Sequence, residues 1–476
     1  MRSCCAAAAV GALVAGCAVG PNYHRPETPV DARFVNAGEP GLAAGDAVQQ
    51  YWAGFSDPML NDLVQDALLH NLDLAAAEAN LRAARAARRL AGFDQYPTVT
   101  FAGGYSKNLY SSQETYGEDF QLREFDNAQA GFDGLWELDL FGRVRRNVEA
   151  ARGDVGASAA TLQDARVSVI AELTRDYFVL RGLQDQLALT MRNADNQMST
   201  LTLTRNRLEA GRGNELDTSR AEAQWQTTLA TIPSLEATLA TTIYRLSVLT
   251  GRQPAALSER LAPVAATPPL PPLNAIGTPE QLLRRRPDVR VAERQLAAAT
   301  ARVGVAMGDL FPKVTMTGQI GYSAESFGDF GQNEARVFGF GPTITWAAFD
   351  LGRVRARIGE ARAQTDAALA AYQGAVLNAL EDTEGALITY GRAQIRLQSL
   401  QVAAAASDKA ADLARKRFEG GLIDFLEVLD AERTALSAEL LLSQGRTDAA
   451  TSLVAVYKAL GAGWEAASVP PVAAGR

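Results

Sequence analysis

Cysteine is almost missing from this chain: three occur among 476 residues, Cys4, Cys5 and Cys17, all near the start. That excludes a disulfide scaffold and a cysteine-ligated metal in the body of the protein. Histidine is scarcer still, with only His24 and His70. No glycine-rich phosphate loop and no His/Asp/Glu metal spacing occurs, and the carboxylates are scattered as on ordinary helix surfaces. The chain is therefore expected to be no enzyme, with no catalytic residues, no metal and no cofactor. The net charge of −8 comes without any block of like charge, so no nucleic-acid partner is expected, since that would need a basic stripe. No apolar run reaches the roughly 20 residues that a membrane-spanning helix takes. Alanine, by contrast, is abundant throughout, a bias toward long helices.

The first residues read as an export signal, 1–16. Arg2 precedes an apolar stretch from Ala6 to Val14, followed by Val14-Ala15-Gly16-Cys17. Small residues before a cysteine form a lipobox, favoured here over a plain secretory signal with an incidental cysteine. Cys17 is thus the expected lipidation site, carrying covalent diacylglycerol and an N-acyl chain, at the head of an extended segment, 17–56. Ala18 lacks the aspartate that commonly retains bacterial lipoproteins at the inner membrane. An acyl anchor attaches but does not span.

The body is a tandem duplication. Gly142-Arg143-Val144-Arg145 recurs as Gly352-Arg353-Val354-Arg355, and Arg207-Leu208-Glu209-Ala210-Gly211 as Arg417-Phe418-Glu419-Gly420-Gly421, both at an offset of 210. Ala221-Glu222 answers Ala431-Glu432. Upstream the offset becomes 215, pairing Asp73 with Asp288 and Tyr96-Pro97 with Phe311-Pro312. The repeats cover 57–251 and 278–463, with a proline-rich connector at 252–277 that cannot be helix and a tail at 464–476. Each repeat reads helix, two strands, very long helix, sharp turn, shorter helix. Entering helices are expected at 59–96 and 279–310, the second long helix at 352–419, and the following helices at 214–250 and 424–461, the former kinked at Pro233. In 352–419 a heptad seam runs through Leu369, Val376, Thr383, Tyr390, Leu397, Ala404, Ala411 and Phe418, the signature of a left-handed coiled coil.

Four segments alternate. Phe132, Gly134, Trp136 and Leu138 interleave with Gly131, Asp133, Leu135 and Glu137; Phe338, Phe340, Pro342, Ile344 and Trp346 interleave with Gly339, Gly341, Thr343 and Thr345. Val99, Phe101, Gly103 and Tyr105 supply a third apolar face, and Val314, Met316, Gly318, Ile320 and Tyr322 a fourth. One apolar and one polar face over about ten residues is how a transmembrane β-barrel strand reads. A half-buried soluble sheet alternates too, but these strands sit in an exported chain between very long helices. Four strands cannot close a barrel, and open edges do not exist in lipid. Three copies would supply twelve strands, though other multiples also satisfy closure.

These features resemble the TolC-like outer membrane factors, specifically the lipoprotein branch (NodT/OprM-like) of resistance-nodulation-division efflux systems. The resemblance is carried by Cys17-Ala18-Val19-Gly20-Pro21-Asn22-Tyr23, Tyr51-Trp52, Asp57-Pro58, Asn71-Leu72-Asp73-Leu74, Asp350-Leu351-Gly352-Arg353, Leu429-Asp430-Ala431-Glu432-Arg433 and Tyr457-Lys458-Ala459-Leu460-Gly461. It implies a mainly α fold with a small β part: a coiled-coil barrel plus four transmembrane strands per chain, in a homotrimer lodged in the outer membrane with a long periplasmic extension. It further implies a passive exit duct of a tripartite efflux system, with outer membrane lipid, a periplasmic adaptor (membrane fusion protein) and an inner-membrane pump of that class as partners.

Site expectations follow from the resemblance. Adaptor contact falls to the helix turns, at Arg207, Gly211, Arg417, Gly420, Gly421 and Leu422, with Arg212 standing where the family often has leucine. The periplasmic gate falls just past them, at Leu426, Asp430, Arg433, Asp217 and Arg220. Read without the resemblance, these are a helix cap and solvated charges. Arg143, Arg145, Arg353 and Arg355 are expected to snorkel at the membrane rim. The exit duct of a type I protein secretion system is the alternative transport reading, and a structural coiled-coil envelope lipoprotein the non-transport one.

Overall fold

The computed structural model describes residues 18–36, 38, 50–109, 111, 124–272 and 276–463. The expected signal 1–16, Cys17 and the tail 464–476 lie outside them. The chain divides into two compact units, one built from 80–159 and 291–374 with the residues up to 27, the other from 28–79, 160–290 and 375–463.

The elements in order are α1 (Pro58–His70), α2 (Leu72–Phe93), β1 (Thr98–Leu109), β2 (Glu124–Glu137), α3 (Arg143–Glu209), α4 (Glu215–Leu249), α5 (Ser258–Leu261), α6 (Pro279–Arg285), α7 (Pro287–Gly308), β3 (Lys313–Ala324), β4 (Arg336–Thr345), α8 (Leu351–Glu419) and α9 (Phe425–Ala459). α4 runs unbroken through Pro233.

Both entering helices are broken where one continuous helix was expected. Asn71 is extended, with ψ 131°. Its side chain accepts the N–H groups of Asp73 and Leu74 at 2.9 and 3.1 Å and donates to the Leu249 carbonyl at 2.9 Å. It caps a fresh helix, which a single polar residue can do without disturbing the apolar periodicity around it. In the second repeat Arg286 is extended, with ψ 124°, because Pro287 disfavours the helical region for the residue before it. The connector also departs from expectation. It opens with a 3-10 turn, Pro254–Leu257, and the one-turn α5, because Pro254 stands at a first helical position that needs no N–H. Leu257 and Leu261 are fully buried there.

In the first unit the four strands form one antiparallel sheet in the order β1-β2-β3-β4. The expected apolar face is bare within the chain: Phe101, Phe132, Ile320, Phe338, Phe340 and Ile344 are all exposed. At the same end of each hairpin an indole N–H is tied to backbone, Trp136 to the Gln95 carbonyl and Trp346 to the Leu310 carbonyl, both at 3.0 Å.

In the second unit the core gathers Tyr51, Trp52, Phe55, Leu60, Tyr177, Phe178, Leu246, Leu453 and Tyr457. The Tyr51 ring stacks on Tyr457 at 4.6 Å. Asp57 caps α1 through the Met59 and Leu60 N–H groups and accepts the Tyr177 hydroxyl on its other oxygen. The family-like Tyr-Trp and Asp-Pro pairs are therefore core and cap. The heptad seam of α8 is buried at Val376, Thr383, Tyr390, Ala404, Ala411 and Phe418.

Candidate functional site

The two helix turns are built alike. α3 stops at Glu209, and Gly211 takes φ +70°. Its N–H donates to the Leu208 carbonyl at 3.0 Å, and the Arg212 N–H to the Arg207 carbonyl at 2.8 Å. In the second repeat Gly421 takes φ +72°; its N–H reaches the Phe418 carbonyl and that of Leu422 the Arg417 carbonyl, both at 2.9 Å. These bonds are the paired closures of a Schellman cap, which asks for glycine at the left-handed position. The restarts differ. Asn214 caps α4, accepting the Asp217 N–H at 2.9 Å and donating to its carboxylate at 2.9 Å. Asp424 heads α9 without a side-chain cap bond.

A small apolar cluster joins the turns: Leu201, Ala221, Phe418, Phe425, Val428 and Leu429. The Arg207 guanidinium lies 4.2 Å over the Phe418 ring, an attraction between cation and π-face. Arg207, expected at a partner surface, is thus half-buried and ties the first turn to the second. Gly211, Arg417, Gly420, Gly421 and Leu422 are exposed, as is Arg212.

Just past the turns, Leu426, Asp430 and Arg433 are exposed on α9, while Asp217 and Arg220 are half-buried on α4. Leu426 and Asp430 are one helical turn apart and share a face. Among the described residues no ion pair engages Asp430, Arg433 or Arg220, and Asp217 is spent on the cap.

Sequence reasoning passed over Glu432. Its carboxylate is buried and accepts from Arg415 at 3.1 and 3.2 Å and from the Thr200 hydroxyl at 3.2 Å. It locks α8, α9 and α3 together beneath the turns. The repeat supplies the same pair as Arg205 and Glu222, 3.3 Å apart but exposed. The recurrence of Ala-Glu in both repeats was the available signal.

In the first unit the residues after Cys17 have a dedicated seat. Arg146, 4% exposed, donates to the Val19 and Gly20 carbonyls at 3.0 and 3.2 Å and to the Asn22 side chain at 2.7 Å. The Val19 N–H donates to the Phe141 carbonyl at 3.0 Å. Gly142 takes φ +80°, and a Cβ there would strike Ala18 at 2.5 Å. The rim arginines are engaged within the chain: Arg143 pairs with Glu137 at 2.6 Å, Arg145 with Asp139 at 3.1 Å and Arg353 with Asp350 at 2.8 Å. Among the described residues Arg355 alone of the four has no ion pair, and it is exposed, the state that snorkelling asks for.

Residues 63–252 and 278–462 match the family described as outer membrane efflux protein. Nodulation protein T of Rhizobium leguminosarum bv. trifolii is 31% identical over 463 residues, spanning 95% of this chain and 96% of that one. Outer membrane protein OprJ of Pseudomonas aeruginosa is 29% identical, spanning 96% and 95%. Among solved structures, the outer-membrane channel OprN has 41% identity and a TM-score of 0.88, spanning 94% of this chain and 100% of its own. The open-state MtrE outer membrane channel of Neisseria gonorrhoeae has 28% identity and a TM-score of 0.83, spanning 94% and 99%. With both repeats matched and relatives aligned nearly end to end, this chain belongs to the outer membrane efflux protein family and is an outer membrane efflux channel.

Proposed function

We propose that three copies of this chain close a single twelve-stranded pore and continue it as a helical duct, giving the passive exit of a tripartite efflux system. A periplasmic adaptor couples the duct to an inner-membrane pump of the resistance-nodulation-division class. Cys17, acylated, holds the N-terminus at the outer membrane, and the Arg146 seat fixes the residues that follow it. The observation that carries this reading is the sheet: its outward face is apolar and exposed, yet β1 and β4 are both unpaired edges. Unpaired N–H and C=O groups in hydrocarbon cost several kcal/mol each, so only closure makes such a sheet viable.

In this reading Gly211, Arg417, Gly420, Gly421 and Leu422 receive the adaptor, with Arg207 bracing the surface from behind. Leu426, Asp430 and Arg433 narrow the periplasmic mouth, and Asp217 and Arg220 flank it from the first repeat. The test is the mass of the detergent-purified, acylated protein by light scattering with the detergent contribution subtracted. Three chains per particle is the expected result. A particle of one folded chain would overturn the assembly.

A further inference from the structure

We propose that Asp133 sets the ion preference of the pore: its carboxylate, repeated once per chain at one depth of the barrel, makes the channel pass cations ahead of anions. This rests on the assembly proposed above.

The curvature of the sheet fixes which face lines the lumen. The polar face is hollowed, enclosing about 660 Å³ bordered by Thr98, Thr100, Asp133, Thr317, Gln319 and Thr343. A sheet curved this way closes with that face inward, and the apolar face carrying Phe101, Phe132, Ile320 and Phe338 turns to lipid.

Alternation along each strand then gives every wall position. β1 and β4 bring no ionisable side chain to this face, β2 brings Asp133 and Glu137, and β3 brings Lys313. Two of these three charges are matched inside the chain, at the end where the helices begin. Glu137 lies 2.6 Å from Arg143, and Lys313 lies 3.0 Å from Asp309. The other charged strand residues, Lys107, Glu124, Asp126 and Arg336, alternate onto the opposite face. Asp133 is left alone. It is exposed, and among the described residues no ion pair or hydrogen bond engages it.

The neighbours leave that charge uncompensated. Thr100, Asp133, Gln319 and Gly339 stand in one row across the four strands. The Gln319 amide nitrogen lies 3.4 Å from where a Cβ on Gly339 would stand, so this side chain leans over β4, away from β2. The second repeat has Thr343 at the position matching Asp133, an offset of 210, so each chain adds one carboxylate and not two. Repeated around the barrel, the row holds carboxylates and no fixed cation. Such a ring gathers cations and repels anions, as acidic rings do in cation channels. Salt shortens the reach of its field, to about 10 Å at 0.1 M and about 3 Å at 1 M, so the preference is strongest in dilute salt.

The experiment reads the reversal potential of the full-length protein in planar bilayers under a gradient of dilute potassium chloride. The unsubstituted channel should favour potassium over chloride several-fold, and Asp133→Asn should bring the ratio close to unity. Asp133→Cys should do the same. With the signal removed and Cys17 acylated, its thiol is the only one free. A methanethiosulfonate reagent carrying a sulfonate should then restore the potassium preference, and one carrying a trimethylammonium should turn it toward chloride. Phe132→Cys, one residue away on the lipid face, should give neither response. Light scattering on each variant shows whether the three-chain particle survives the substitution. No preference in the unsubstituted channel, or a preference that Asp133→Asn leaves unchanged, overturns this assignment while leaving the pore standing. An unsubstituted protein that passes no current overturns the pore, and this assignment with it.

Discussion

Replacing Arg286 with methionine is expected to destabilise the second unit by about 3 kcal/mol, the order seen when one partner of a buried ionic cluster is removed. Arg286 is 8% exposed at the break between α6 and α7. It donates to Asp288 at 2.7 and 3.0 Å, to Asp382 at 3.0 Å, and to the Ala379 and Ala459 carbonyls at 3.3 and 3.2 Å. Ala459 ends α9, so its carbonyl has no helical partner of its own and depends on such donors. Asp382 is more than half exposed, and that arm counts for little; the loss comes from the buried carbonyl and Asp288. Lysine at 286 restores charge without the planar fork and should recover only part of the loss.

The same variant should show a pH signature. Asp164 lies beside this cluster, and burial, then the Asp288 charge, pushes its carboxyl above the ordinary value, while Arg286 and Lys458 pull it down. A carboxyl raised in the folded state favours its proton there, so its contribution to stability falls as pH climbs through the folded value. Without Arg286 the shift grows. The variant's melting temperature should therefore lie closer to that of the parent at mildly acidic pH than at neutral pH, measured by scanning calorimetry on both. An equal gap at the two values would detach Asp164 from Arg286.

Replacing Asp430 with alanine is the second large effect, expected to raise the closed-state conductance several-fold. Asp430 is exposed one turn beyond Leu426 and has no ion pair within the chain among the described residues. If copies converge at this face, their carboxylates repel at a narrow neck, and a shut mouth must hold them with cations or with donors from neighbours. Arg433 is free to be such a donor. Arg433→Ala should then shift conductance in the same direction, and raised salt should narrow the difference between parent and variants by screening. Glu432→Gln, inside the cluster, should instead loosen the turns, read as faster amide exchange in 200–220 and 410–435. An Asp430→Ala channel indistinguishable from the parent would remove this residue from the gate.

What the sequence discloses is whatever local geometry or period forces. Gly211 and Gly421 were readable because a helix reversal needs positive φ there. The four strands were readable because one face must meet hydrocarbon. The breaks at Asn71 and Arg286 were not, because alanine-rich periodicity runs straight across a one-residue interruption, although Pro287 marked the second. Arg146 and its N-terminal partners lie more than a hundred positions apart, and Glu432 meets Thr200 across more than two hundred. Neither pairing can be read from local pattern, although the recurrence of Ala221-Glu222 as Ala431-Glu432 marks Glu432 as a repeated position. The repeat did carry one long-range fact, since its two offsets match the strand registers residue for residue.

Single-channel recording in planar bilayers tests the whole account most directly. The purified protein should insert and give discrete, long-lived conductance steps. A correctly folded preparation that associates with the bilayer yet passes no current would contradict the pore.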